Sequence, residues 1–283
     1  MTPRARPVLP ALALSCSAEG VSAALVTARE SGKVAIEGWH DAGTSTRSDA
    51  LLGMIDSLLA ANRTPASAIR HLSVDIGPGP FTALRMTCAI AQGVALASGA
   101  THSPVWTTEA LAWQAVAGQP EGRHRVFVAI DARMGEAYAA TVEIEVDPAG
   151  ELRSIRESTP CVVVAPASVW EAAGPGFAGE GARVLYLAGN AFERIPGFAE
   201  SVGRQAREAQ WSVIRPRAAV SVRASAVAQI GLYRAAAGGT ADAVSGLDGD
   251  AAALAPRYIR NKVALDVDEQ AAARLHGSKE GPR

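Results

Sequence analysis

His71-Leu72-Ser73-Val74-Asp75-Ile76 runs directly into Gly77-Pro78-Gly79-Pro80-Phe81-Thr82-Ala83-Leu84-Arg85. The first six residues form a short apolar run suited to a strand, and the periodicity from Phe81 to about Ala97 is that of a helix. The glycines and prolines between them force a tight turn, and Pro80 has a φ preset for a helical start. A strand turning straight into a helix marks an α/β protein. The turn also has a chemical reading, because backbone N–H groups at the positive end of a helix cradle phosphates. Pro78 and Pro80 have no N–H, which leaves Gly77, Gly79, Phe81 and Thr82 as donors, and no Gly-Lys-Ser/Thr ending follows as it would in a P-loop. Arg85 lies in or near the first turn, where a cation opposes the helix dipole, so it calls for an anionic partner, either Asp75 or another carboxylate, or a ligand phosphate. Gly77, Gly79, Thr82 and Arg85 are the candidate ligand contacts.

Upstream, Val8 to Leu14, Val21 to Thr27 and Lys33 to His40 read as three strands of a meander, with Ser31-Gly32 as a hairpin turn. Thr46 with Asp49 resembles a capping box for a helix carrying Leu51, Leu52, Ile55, Leu58 and Leu59, to about Ala61. The order is βββαβα. Downstream it recurs: Arg125 to Ile130, Ala137 to Val146 and Cys161 to Val164 as strands, Pro166 to Ala172 as helix, Val184 to Ala188 as strand, then a helix from about Ala191 interrupted by Pro196 and Gly197. Two such units predict duplicated ribonuclease-H-like lobes, the plan of the actin-like and Hsp70 superfamily. Residues 8–104 are the first lobe, with residues 101–119 joining the two through a helix capped by Thr107 or Thr108. Residues 105–265 hold the second lobe with a closing helix at Val220 to Ala237, a linker of Ala, Gly and Asp at 238–253, and a terminal strand. The polar tail at 266–283 has the composition of a disordered segment.

The chain has 283 residues, 48% hydrophobic and 19% charged, with a net charge of −1. That is enough apolar material for a real core, and the charge lacks the footprint of an autonomous nucleic-acid binder. Cys16, Cys88 and Cys161 are too far apart for a metal knuckle or disulfide framework, which points to the reducing cytoplasm. No window reads as a signal peptide or supplies about 20 uninterrupted apolar residues for a membrane span.

The chemistry-bearing residues are sparse. His40, His71, His102, His124 and His276 are scattered, with no His-x-x-x-His pair to hold a metal. Asp131 and Glu136 flank a glycine turn, where two carboxylates suit acid–base work, but an Asx turn with Arg133 paired to one of them accounts for the same pattern. Ser17 and Ser22 lie in no nucleophile elbow. Arg257, Tyr258, Arg260 and Lys262 form a compact basic patch with an aromatic, suited to RNA phosphate, to a solvated terminal strand or to closing the fold.

Taken together, Ile76 to Arg85 and the helix to Gly99 resemble the Gly-Pro-Gly-small-Phe-Thr-Gly-Leu-Arg signature of the TsaB family of tRNA threonylcarbamoyladenosine biosynthesis proteins. Leu12 to Leu25, Ser48 to Leu59, Thr107 to Ala112, Asp131-Ala132-Arg133-Met134-Gly135-Glu136 and Pro256 to Val263 resemble further blocks of that family in order and spacing, from Val8 to Val263. The chain departs from the pattern at Ser15, where the family usually has aspartate after the opening strand, and at Pro80 and Ala83. A hydroxyl cannot replace a carboxylate as a charged magnesium ligand. The resemblance implies a non-catalytic subunit that binds and activates TsaD, a paralogue of the same fold, in forming N6-threonylcarbamoyladenosine at position 37 of tRNAs reading ANN codons, with TsaE as ATPase. It implies no catalytic residue, metal or required cofactor in this chain, and leaves a nucleotide at the TsaD interface and a homodimer of the isolated chain open. The alternative is a small-molecule kinase or ATPase using the interlobe cleft.

The two first-lobe helices bear on partnering. Met86, Ile90, Gly93, Val94 and Ala97 share one face of the helix from Phe81, and Leu84, Cys88, Ala91 and Ala95 the opposite one. A surface helix should bury one apolar stripe, so a helix apolar on both sides calls for a second cover. Either the two helices cover each other, or a partner does. The resemblance favours TsaD, and the expected interface is Leu51, Met54, Ile55, Met86, Ile90 and Val94.

Overall fold

The computed structural model describes residues 8–16, 20–29, 34–41, 47–175, 183–215, 221–237 and 254–260. The turn at Ser31-Gly32, the cap at Thr46, the linker 238–253 and the tail 266–283 lie outside the described residues.

The first strand shows how the layers arise. β1 (Ala11–Ser15) alternates small and large residues, and the pleat sends Ala11 and Ala13 to one face and Leu12 and Leu14 to the other. β1 pairs antiparallel with β2 (Val21–Ala28), which pairs with β3 (Val34–Asp41). On its other side β1 runs parallel to β4 (His71–Asp75), and β4 runs parallel to β5 (Thr101–Val105), giving the order β3-β2-β1-β4-β5. α1 (Arg47–Ala61) lies over β2 and β3, and α2 (Phe81–Ser98) over β4 and β1, both on the leucine face.

The second sheet repeats this plan. β6 (Gly122–Arg133) pairs antiparallel with β7 (Glu136–Val146), and β7 with β8 (Leu152–Val164). β9 (Val184–Ala188) runs parallel to β6, and β10 (Ser212–Ile214) parallel to β9, for the order β10-β9-β6-β7-β8. β6 therefore occupies the place of β1, and β9 that of β4. The duplicated actin-like α/β plan read from the element order is the fold.

Between the sheets lies a layer of two helices, α3 (Thr107–Val116) against β6, β7 and β9, and α7 (Ala224–Ala236) against the first sheet. The alanines of β1 admit α7 at close range, and at Gly231 an added Cβ would stand 2.0 Å from Ser73 Oγ. α4 (Val169–Ala173), α5 (Ala191–Arg194) and α6 (Phe198–Glu208) cover the outer face of the second sheet around Phe127, Phe192 and Phe198. Five layers result.

Several expectations need correction. Each sheet has a fifth strand that the reading missed: β5 carries Pro104, which disguises an edge strand as a connector, and β10 has only three residues. β8 begins at Leu152 rather than Cys161, because its solvated half is polar and lacks apolar alternation. The closing helix, grouped with the second lobe, covers the first sheet instead. Gly197, with φ 72°, divides the helix expected from Ala191 into α5 and α6.

Candidate functional site: the α1–α2 face and the interlobe mouth

At the end of β4 the carboxylate of Asp75, fully buried, accepts hydrogen bonds from Ser15 Oγ at 2.7 Å, Thr107 Oγ1 at 2.7 Å and the backbone N–H of Gly77 at 3.1 Å. Gly77 has φ 106°, a conformation open to glycine, and its carbonyl accepts from Thr107 N at 2.8 Å. The Gly77 N–H is thus directed at Asp75, not at a ligand, and this candidate contact is corrected. Ser15 is 1% exposed and ties the end of β1 to that of β4. The arrangement is a structural knot of one carboxylate and three donors, an inward-facing use of the turn.

Arg85 does not pair with Asp75 either. Its Nε donates to Tyr258 Oη at 2.9 Å, and its guanidinium lies 3.8 Å from the centroid of Phe81, which stacks on Tyr258 at 5.0 Å. The aromatic faces supply the negative potential that the sequence assigned to a carboxylate or phosphate. Thr82 is exposed and Gly79 half-buried. Of the four candidate contacts, two are engaged within the protein, and the geometry assembles no nucleotide cradle from them.

Thr107 and Thr108 do not cap α3; Trp106 holds the cap position, and its N–H donates to Glu109 Oε2 at 3.0 Å. The two hydroxyls reach apart, Thr107 to Asp75 in the first lobe and Thr108 to Glu157 Oε1 on β8 at 2.7 Å. Glu157 also accepts both terminal nitrogens of Arg257, at 3.1 and 3.0 Å, while that guanidinium lies 3.4 Å from the Trp106 ring centroid. Arg260 pairs with Glu136. The basic patch therefore closes the fold through Arg257, Tyr258 and Arg260, and Lys262 lies outside the described residues. Asp131 forms the Asx turn, accepting from Arg133 N at 2.8 Å. Sequence reading gave no sign of Glu157, or of the Arg234–Glu109 pair at 2.5 Å that joins α7 to α3, since the two arginines lie 100 and 125 residues from their carboxylates.

No group of three or more His, Cys, Asp or Glu suited to a metal occurs among the described residues. The cysteines are buried, and burial pushes the thiols of Cys88 and Cys161 up to about 12, far from thiolate chemistry. His71, on the inner face of β4, is held at about 4 by burial and then by neighbouring His102. A base with a lowered folded pKa favours the neutral form, so stability is complete above the unfolded value near 6.5 and falls as pH drops toward 4. Between pH 7 and pH 5, urea denaturation should show a loss of about 2 kcal/mol from this group, and His71→Phe should flatten that dependence.

The outward surface of the α1–α2 layer differs from the rest. Leu51 and Ile55 are core residues at 0% and 7% exposure, so their place in the expected interface is corrected. Met54, Met86, Ile90 and Val94 are half-buried at the layer's surface, packed on that core. Beside them α2 exposes Ala89, Gly93 and Ala97 in one row, with Leu96 at 80%, and α1 exposes Leu52 at 52% and Gly53. Beyond Arg85, α2 carries no charged side chain. By length and composition it is the one described helix apolar enough to cross a bilayer; a third of it is buried against its own sheet. Small residues four apart let a second helix approach closely, and the adjoining methionines adapt to its shape.

A family model described as TsaD, tRNA N6-adenosine threonylcarbamoyltransferase, matches residues 45–162. The tRNA threonylcarbamoyladenosine biosynthesis protein TsaB of Escherichia coli K12 is 34% identical over 125 residues, 41% of this chain and 52% of that protein. TsaB of Haemophilus influenzae is 32% identical over 131 residues, 46% of this chain and 52% of that protein. The chain spans about half the length of these curated relatives. Among solved structures, a protein from Pseudomonas aeruginosa described as similar to peptidase YeaZ superposes with a TM-score of 0.67 at 26% identity, covering 88% of this chain and 99% of that one. YeaZ from Pseudomonas aeruginosa gives 0.63 at 25%, covering 88% and 98%. The resemblance to the TsaB family carried by the sequence blocks is shown by these relatives.

Proposed function

We propose that this relative of the TsaB proteins is a non-catalytic subunit that binds and activates a TsaD-type transferase in forming N6-threonylcarbamoyladenosine at position 37 of tRNAs reading ANN codons. The observation that carries the reading is the uncharged, small-residue face of α2 beside Met86, Ile90 and Val94. An exposed apolar helix face of this extent is the mark of an interaction surface. It lies within the segment matched by the TsaD family model, as expected if two proteins of one fold associate through equivalent helices.

The interlobe mouth supports the same division of labour. Ser15 and Asp75 spend their polarity on one another and Thr107, and the Gly77 N–H is turned inward. Magnesium-phosphate chemistry would need that carboxylate and those donors facing a ligand. The partner would hold the transfer chemistry, a TsaE-type ATPase would join the assembly, and this chain would supply the surface that completes the active arrangement in the cytoplasm.

Reconstitution tests this directly. A TsaD-type transferase, a TsaE-type ATPase, threonylcarbamoyl-adenylate and tRNA should modify adenosine 37 when this chain is present. Without it, turnover should fall by at least tenfold. Full modification in its absence would overturn the reading.

A further inference from the structure

We propose that Leu254–Arg260 is a releasable clasp that fixes the opening between the two lobes and anchors the N-terminal end of α2. In open α/β sheets the crevice lies outside the carboxyl ends of the parallel strands, here β1 and β4 of one lobe and β6 and β9 of the other. Apolar packing of α3 and α7 joins the sheets behind that mouth, and across the front runs the seven-residue segment.

Its first attachments are to the first lobe. Leu254, 2% exposed, sits among the residues beneath α1 and α2, and its carbonyl accepts from Gln92 Nε2 at 2.9 Å. Arg257 N donates to Ile76 O at 2.7 Å, directly before the Gly77 turn. Tyr258 receives Arg85 and stacks on Phe81 in the first turn of α2. The same segment then reaches the second lobe, through Arg257 to Glu157 on β8 and Arg260 to Glu136 on β7. Arg257 itself spans the mouth, its backbone on one lobe and its side chain on the other.

The segment has no helix or ladder of its own; apart from the Arg257 N–H bond to the β4 end and the buried Leu254, its attachments described are made by side chains, in ion pairs, hydrogen bonds and aromatic contacts. Elements held this way open at lower free energy than the sheets they cross. Release would uncover Glu157 and the Gly77 turn together and free Glu136, Phe81 and Arg85. Among the described residues, the α3–α7 layer behind the lobes would then hold them together, leaving them free to hinge about it. This inference concerns the chain alone and stands apart from any transferase partnership.

The test is a distance distribution between spin labels at Ala60→Cys on α1 and Arg204→Cys on α6, the native cysteines being buried. The otherwise unaltered chain should give one narrow distance. The double variant Arg257→Ala, Arg260→Ala should give a broader distribution with a longer population, its fold verified by far-UV circular dichroism. A distribution unchanged in the folded variant would overturn the clasp. Should the variant not fold, hydrogen exchange of the unaltered chain in sub-denaturing urea decides the matter. Residues 76–85 and 254–260 should exchange in one opening event, at least tenfold more often than β1 and β6. Exchange only with global unfolding would contradict the proposal.

Discussion

Replacing Arg234 with alanine should lower stability at pH 7 by about 3–5 kcal/mol, among the largest single-residue effects expected outside the apolar core. Glu109 has a side chain 3% exposed, and Arg234 meets it at 2.5 Å while also donating to Pro104 O at 2.6 Å. Burial raises the Glu109 pKa, and Arg234 is the chief influence pulling it down. With the guanidinium gone, a buried carboxylate is left to ionise at neutral pH beside Glu157. A raised folded pKa contributes stability below the unfolded value and loses it as pH rises through the folded one, so the penalty belongs to neutral pH. Differential scanning calorimetry should show Tm lower by on the order of 10 °C. Adding Glu109→Gln should recover much of the loss, because the amide needs no counter-charge; equal losses in single and double variants would contradict the account.

The second large effect concerns Gly93. An added Cβ there meets nothing within 4 Å, and the position is exposed in the middle of α2. Gly93→Arg should therefore leave the isolated chain folded and slightly more stable, by up to ~1 kcal/mol, since glycine is a poor helix former. Partner binding should respond in the opposite sense. Helices pack with axes about 8–10 Å apart, and an arginine in a row of small residues holds them off and strands a charge in an apolar contact. A loss of affinity of a hundredfold or more, about 3 kcal/mol, is expected. Opposite signs on stability and binding separate an interface effect from misfolding.

The sequence carried the duplicated fold wherever local pattern and tertiary role agree. The alternation of β1, the apolar run of β4 and the turn into α2 each state their structure within a few residues. β5 and β10 were hidden because edge strands bury little: a proline and a three-residue length remove the usual signals. The site was less legible for a related reason. Arg85 plainly needed a partner, but its hydrogen-bond acceptor is the hydroxyl of Tyr258, 173 residues away, which nothing local indicates, and its guanidinium lies on the ring of Phe81. Thr107 and Thr108 looked like cap residues and instead reach to opposite lobes, a use fixed only by the meeting of β4 and β8 at α3. Leu51 and Ile55 share a stripe with true surface positions in any helical reading; only the packed sheet shows which side is covered.

We propose that the exposed face of α2 docks a TsaD-type transferase. Isothermal titration of that transferase into the unaltered chain and into Gly93→Arg tests it most directly. The account predicts a 1:1 complex with the unaltered chain and affinity weaker by at least a hundredfold for the folded variant. Equal affinity for both chains would contradict it.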